Sequence, residues 1–521
     1  MTPLGGLAAA GATLSLGVLA AHAWISLTSG HDLNLVSGVW LALARDLREG
    51  LLYRDLLGPA GYGGTRYFPL FFALIAGLSR LGVDPIAAGH AVSLAGLGVL
   101  AAGASALLTA LGLPRKATIL AAVLATAPYF VQQSALSIRV EPFAAGLALL
   151  GLAAASGVAG QARGSWRGAI GAAVCFTLAI AAKPTSVYAP AAALLALVFA
   201  GRRSDALRLG GATALGVLLL VSVVEWLSAG RFLASVRATA LAGEAPAGLL
   251  ASETLVRPLA LIASSRVLTV MVLLAAAALV SNAARWRQLP VLALLAAAAT
   301  TALALGTPGT ILANQVVELY AVLVVFLAWV AATRPRVARP GTVALAILLF
   351  WTSVQNAARI IEIRRATADA DLGSRRAAVR EAVRQCGRPV LAESPLVPIL
   401  AGESPVLLDP FAFRVVALRT PALADDLTAR IEARRFTCIV IDHDPAAPRG
   451  AAWYRNVHLG APVIETILRH YEYRASAGGH RFYLPDGTDE RAGLGRITGR
   501  PLDPAVPAFD SRLGPRGHPG R

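Results

Sequence analysis

Charge is scarce in this chain. Of its 521 residues only 15% are Asp, Glu, Lys or Arg, where a soluble globular chain carries about 25%. With 56% hydrophobic residues and a mean hydropathy of +0.63, this scarcity excludes an ordinary water-soluble enzyme. The blocks Thr213–Val224 and Val291–Ala304 hold no charge at all, and lipid solvates such helices where water does not. Cysteine is sparse too. Cys175, Cys386 and Cys438 show no metal-ligand spacing, which leaves no thiolate metal site. Cys386 and Cys438 are free to pair outside the cell, but two cysteines define no framework, so their pairing stays open. The sequence also lacks a P-loop, a dinucleotide fingerprint, a metal-ligand cluster and a nucleophile elbow.

What the chain does have is long apolar runs and basic loops. Its net charge of +17 does not point to nucleic acid, because many arginines sit in short loops between apolar blocks, as retention of positive loops on the cytoplasmic side requires. The pattern predicts about eleven spans: Leu4–Leu27, Ile86–Leu111, Ala117–Val131, Pro142–Val158, Gly168–Ala182, Thr185–Ala200, Leu209–Leu227, Pro258–Val280, Leu289–Leu305, Gln315–Ala332 and Thr342–Val354. Ala21-His22-Ala23 resembles a signal-peptide cleavage site, but no basic side chain precedes the apolar run, so the segment reads as a retained span. Tyr67–Leu81 is too short to cross a hydrocarbon core of about 30 Å and reads as an interfacial helix. With that segment left out, the loops Leu113–Lys116, Gln161–Arg167, Gly201–Arg208, Ala284–Gln288 and Thr333–Arg339 share one face, with twelve basic residues and one acid, Asp205. The positive-inside rule makes that face cytoplasmic.

The expected architecture is a polytopic α-helical membrane domain over residues 1–358, with a first external loop at 28–82, followed by a small extracytoplasmic α/β domain at 359–485. The N-terminus is expected inside and the α/β domain outside a bacterial cytoplasmic membrane. In the α/β domain Pro389–Ala392 and Phe436–Asp442 read as strands, Ala422–Arg435 and Val463–Tyr471 as helices, and Tyr473–Arg474 with Arg481–Leu484 as a hairpin around Gly478-Gly479. Residues 486–521, rich in Pro, Gly and Arg, read as disordered.

Ionisable residues at the bilayer margin need a reason to be there. Asp32, in Ser29-Gly30-His31-Asp32, is suited to act as a general base, or to cap a helix over Leu33–Glu49. Glu141, in Arg139-Val140-Glu141-Pro142, either serves a substrate or simply favours a helix N-terminus. Lys183 has the form of a phosphate-gripping ammonium, or of a snorkelling side chain. Arg66, just before Tyr67, and Arg257 are further phosphate-binding candidates or plain interfacial arginines. Glu318, one turn into Asn314–Ala332, requires a partner from another helix, since no basic residue lies near it in sequence.

The order of these stretches resembles the integral-membrane GT-C glycosyltransferases, in the bacterial branch allied to protein mannosyltransferases and the aminoarabinose transferase. The resemblance rests on His31-Asp32, on Leu41-Ala42-Leu43-Ala44 through Glu49-Gly50-Leu51-Leu52-Tyr53-Arg54-Asp55, and on Tyr67-Phe68-Pro69-Leu70-Phe71. Arg139-Val140-Glu141 and Ala182-Lys183-Pro184-Thr185 extend it, and Asn314–Glu318 matches loosely. It implies a polyprenyl-phosphate-linked sugar as donor, an acceptor that is a glycan, lipid or protein, and inversion in one displacement. It further implies Asp32 as catalytic base, Glu141 as second acid, and Lys183 with Arg66 at the donor phosphate, with His31, Tyr67, Arg139, Asn314 and Glu318 as further substrate-site candidates. Three departures stand out. Asp32 has no acidic neighbour, the second acid is Glu rather than Asp, and His90 stands near a place where many relatives have Arg. No cofactor and no metal ligands are expected, and a divalent metal requirement is left open. The competing classes are a transporter or lipid-linked-sugar flippase, which keeps charge near the midplane, and a non-catalytic envelope-assembly scaffold.

Overall fold

The computed structural model describes residues 3–160, 166–241, 252–281, 283–306, 313–333, 335–370 and 372–487. The expected disordered tail from 488 onward, and residues 161–165 of the loop Gln161–Arg167, lie outside them.

Among the described residues five helices are long and apolar enough to cross a membrane: Gly6–Ser29, Pro85–Ala110, Arg203–Leu227, Asn314–Thr333 and Pro340–Thr367. Two bent pairs raise the number to seven if each is one span, and Pro69–Arg80, Glu141–Gly157, Trp166–Ala182, Pro184–Phe199 and Leu289–Leu305 are shorter apolar helices. Three expected spans change form. Ala117–Val131 becomes Arg115–Thr126 and Tyr129–Leu136, set at 64°, because Pro128 has no N–H to continue the ladder. Pro258–Val280 is two helices at 116°, parted at Ser265, with Arg266 opening the second. Thr342–Val354 is the middle of Pro335–Ala370, whose 36 residues rise about 54 Å. That exceeds a hydrocarbon core of about 30 Å and carries the chain into the terminal domain.

Burial sorts the helices. Every residue from Val317 to Ala331 is buried, as suits a helix that is apolar all round and sits among others. Arg203–Leu227 leaves most of its surface outward, including Trp226 and Leu218, as a lipid-facing helix does. The helices Pro85–Ala110 and Glu141–Gly160 approach so closely that a Cβ at Gly103 would strike the backbone of Gly146, and one at Gly146 the backbone of Val99 and Leu100. Small residues are what permit such contact between membrane helices. This contact fixes Glu141, at the head of the second helix, against the first.

The terminal domain is a four-stranded mixed sheet. Its strands are β1 (Val390–Ala392), β2 (Cys438–Ile441), β3 (Tyr471–Ala477) and β4 (His480–Pro485), in the order β1-β2-β4-β3. β1 and β2 are parallel with Val390 opposite Cys438, while β4 is antiparallel to both β2 and β3. The β3–β4 hairpin turns at Gly478-Gly479, both with positive φ, which glycine adopts without penalty. Cys386 and Cys438 form a disulfide joining the helix Leu372–Cys386 to β2. Burial disfavours the His480 imidazolium, but the Asp442 carboxylate 2.7 Å from Nδ1 outweighs it and holds the pKa above its ordinary 6.5. A pKa raised by folding adds stability that is complete below the unfolded value and lost as pH climbs through the folded one. Wild-type protein should therefore lose thermal stability from about pH 6 to about pH 8, and His480→Gln should lose less over that interval. Melting curves in detergent at both pH values check this.

The domain is docked on the loop that follows the helix Leu35–Arg48. Tyr62 N–H donates to Val406 O at 2.8 Å and Leu408 N–H to Tyr62 O at 3.1 Å. Arg54 holds Asp46 with two bonds of 2.6 and 2.7 Å, and also donates to Ala60 O and Pro405 O. Within Tyr53-Arg54-Asp55, then, the arginine ties the loop to the helix Leu35–Arg48 and to the terminal domain.

Candidate active site

Asp32 is not a helix cap. The helix Leu35–Arg48 is capped by Asn34, whose Oδ1 accepts from Val36 N at 3.0 Å and Ser37 N at 3.3 Å, while Ser37 Oγ accepts from Asn34 N. This capping box satisfies the free N–H groups and releases Asp32, which is buried. His22, from the helix Pro3–Ser29, reaches Asp32 Oδ2 through Nε2 at 3.1 Å. The His22 ring stacks on Tyr129 at 5.1 Å, and its Nδ1 lies 3.4 Å from Gln132 Oε1. Asp32 Oδ1 is buried without a hydrogen-bond partner among the described residues. One carboxylate oxygen is thus anchored and the other is free.

The segment Ser137–Glu141 meets the start of the helix Leu35–Arg48 at Asn34 and Ser37. Ser37 Oγ donates to Ser137 O at 2.6 Å, Arg139 Nε to Ser137 Oγ at 3.1 Å, and Arg139 Nη2 to Asn34 Oδ1 at 3.4 Å. Ile138 between them has φ +52°, a left-handed conformation that is costly for a β-branched residue. It is wholly buried and packs under Gly89, and beyond this turn Arg139 meets Asn34 while Glu141 meets Asn314. Glu141 Oε1 accepts from Asn314 Nδ2, while Oε2 is buried without a partner among the described residues.

Four residues beyond Asn314, where the 3-10 turn Ala313–Val316 passes into the helix Val317–Thr333, Glu318 has found its partner. Lys183 Nζ lies 3.4 Å from Oε2, and Thr185 Oγ1 and Ser186 Oγ donate to the same carboxylate at 2.7 and 2.6 Å. Pro184 ends the helix Trp166–Ala182 and starts the 3-10 turn Pro184–Val187, which turns all three donors toward Glu318. Lys183 is therefore a paired ammonium. Tyr67 packs against Trp40 with ring centroids 4.3 Å apart and planes tilted by 37°, and burial first, then the Asp409 carboxylate, drives its phenol pKa far upward, with Arg66, Arg139 and Glu141 also within electrostatic reach. Arg66 is exposed and lies over the Phe411 ring at 5.5 Å. His31 is exposed as well.

Asp32, Arg139, Glu141, Asn314, Glu318 and Lys183 thus form one chain of neighbours, with Tyr67 and Arg66 beside it. His22, Gln132, Asn34 and Asp409 belong to the surroundings and carried no motif. His22 did carry a signal, as an ionisable residue inside an apolar helix, although its alanine neighbours drew it into a cleavage-site pattern. Among the described residues no three His, Cys, Asp or Glu side chains stand close enough to hold a metal ion.

Helix order, a loop after the first helix that carries Asp32, and a terminal α/β domain together give a fold similar to that of solved GT-C membrane glycosyltransferases. No family model and no curated protein matches the sequence, but solved structures match the fold along most of the chain. ArnT from Cupriavidus metallidurans bound to undecaprenyl phosphate aligns with TM-score 0.57 and 11% identity, over 90% of this chain and 97% of its own. The Archaeoglobus fulgidus oligosaccharyltransferase in complex with zinc and sulfate aligns with TM-score 0.52 and 15% identity, over 92% and 73%. The archaeal oligosaccharyltransferase AglB from the same organism, with an inhibitory peptide and a dolichol-phosphate, gives 0.50 and 14%, over 91% and 74%.

Proposed function

We propose that this protein is a glycosyltransferase that moves a sugar from a polyprenyl-phosphate-linked donor to a cell-envelope acceptor, on the outer face of a bacterial cytoplasmic membrane. The observation that carries the reading is Asp32, buried, anchored through one oxygen by His22 and left with the other unpartnered, two residues from the Asn34 side chain that meets Arg139. Two solved structures of the same fold hold a polyprenyl-type phosphate, undecaprenyl phosphate in one and dolichol-phosphate in the other. The disulfide Cys386–Cys438 supports an outer placement of the terminal domain, since disulfides persist in oxidising compartments.

The chemistry is a single in-line displacement. An acceptor hydroxyl attacks the anomeric carbon, Asp32 Oδ1 takes its proton, and the bond from carbon to phosphate oxygen breaks with its electron pair going to the phosphate. Attack opposite the leaving group inverts the anomeric centre. Lys183 and Arg66 offset the charge that builds on the departing phosphate, while Glu141 and Asn314 hold sugar hydroxyls. Purified protein in vesicles, given a polyprenyl-phosphate sugar and an envelope fraction, should release polyprenyl phosphate and label that fraction. A deletion strain should lose one sugar mass from its envelope glycans. No label, together with an unchanged glycan profile, overturns the proposal.

A further inference from the structure

Arg376 belongs to no motif, and it enters the site from the terminal domain. It lies on the helix Leu372–Cys386, which the disulfide pins to β2. Its guanidinium lies flat across Gly30, so that a Cβ built on Gly30 would fall on the guanidinium itself. Gly30 also has φ +62° and ends the first helix, with its N–H donating to Ser26 O, so glycine serves both the turn and the cradle. Nη2 of Arg376 is buried and has no hydrogen-bond acceptor among the described residues, and the charged neighbour of the guanidinium is another cation, Arg380. A buried guanidinium N–H without an acceptor is costly unless a ligand supplies one.

The position of this cation decides which ligand. His90, at the head of the helix Pro85–Ala110, lies within electrostatic reach of both Arg376 and Asp32, and Gly30 is two residues from Asp32. Arg376 therefore stands on the side of the base. In an in-line displacement the attacking hydroxyl and the leaving phosphate occupy opposite sides of the anomeric carbon, and Lys183, beyond Glu318, marks the phosphate side. We propose that Arg376 binds an oxyanion, a phosphate or a carboxylate, carried by the acceptor close to its attacking hydroxyl. Arginine suits the task because its planar fork matches such groups with two parallel hydrogen bonds. The protein would then select anionic acceptors. This inference rests on the reading of Asp32 as base.

The test uses the full-length protein in vesicles with a polyprenyl-phosphate sugar and an envelope acceptor fraction, and it separates the KM of each substrate. Arg376→Ala should raise the acceptor KM by about ten- to a hundredfold, the range of a lost charged hydrogen bond, with the donor KM unchanged. Gly30→Ala should act in the same direction by displacing the guanidinium, and Arg376→Lys should recover part of the loss. Phosphatase treatment or carboxylate methylation of the fraction should lower its use by wild-type protein and leave Arg376→Ala indifferent. A rise in the donor KM instead would assign the oxyanion to the lipid phosphate and overturn the proposal. So would wild-type constants in both Arg376→Ala and Gly30→Ala. A wild-type protein that transfers nothing would overturn the transferase reading itself, which is a separate outcome.

Discussion

Asp32→Asn should lower kcat by about 10²- to 10⁴-fold, the range of a lost general base, and leave the melting temperature close to wild type. The amide keeps an oxygen to accept from His22 Nε2 and fills the volume of the carboxylate, so the anchored half of the side chain survives. What disappears is the basicity of Oδ1, the atom that is buried and unpartnered. Because Asn34 rather than Asp32 caps the helix Leu35–Arg48, the substitution costs no cap, and a loss of activity cannot be traced to fraying of that helix. Glu141→Gln keeps an oxygen for Asn314 and should act mainly on sugar binding, raising KM more than it lowers kcat. Initial rates with a lipid-linked donor, beside melting curves of both variants, check these outcomes. An Asp32→Asn enzyme within tenfold of wild type would place the base elsewhere.

The sequence carried much of this site because membrane solvation makes charge informative. In an apolar chain each marginal acid or base needs a reason, and Asp32, Glu141, Lys183 and Glu318 stand out on that ground alone. The terminal strands were legible for a different reason, since Cys438–Ile441 and His480–Pro485 contrast with their polar flanks and glycine turn. What stayed hidden is tertiary. Nothing local distinguishes capping by Asp32 from capping by Asn34, because both precede the same helix and both have the right oxygen. The answer lies with His22, ten residues earlier and on another helix. The partner of Glu318 sits 135 residues upstream at Lys183, and only the fold brings it near. Arg376 resembles any other exposed arginine of a basic helix until Gly30 is seen beneath it. The bend near Pro128 was missed because hydropathy averages over a window and is blind to direction, whereas Arg266 inside an apolar run already hinted that the eighth span begins near Val267.

Lys183 and Glu318 provide the second large effect, and the pair has to be tested as a pair. Only two of the 47 basic residues are lysine, Lys116 and Lys183, and a compact ammonium on a flexible stem is able to turn from a carboxylate to an arriving phosphate. Lys183→Met should lower kcat by about 10²- to 10³-fold, as removal of a fixed transition-state cation does. It also strips the ion pair from a carboxylate that is almost wholly buried, which by itself destabilises by about 3–5 kcal/mol. The hydroxyls of Thr185 and Ser186 remain and should hold the loss to the lower end. Glu318→Gln leaves an uncharged partner for both hydroxyls and frees the ammonium, so its activity should exceed that of Lys183→Met by a wide margin. The double variant separates the two roles. If Lys183 meets the donor phosphate, Lys183→Met with Glu318→Gln regains thermal stability and stays inactive, because the neutral pair needs no cation but the phosphate still does. If Lys183 only neutralises Glu318, the double variant regains transfer together with stability, and the assignment of the leaving group to this lysine fails.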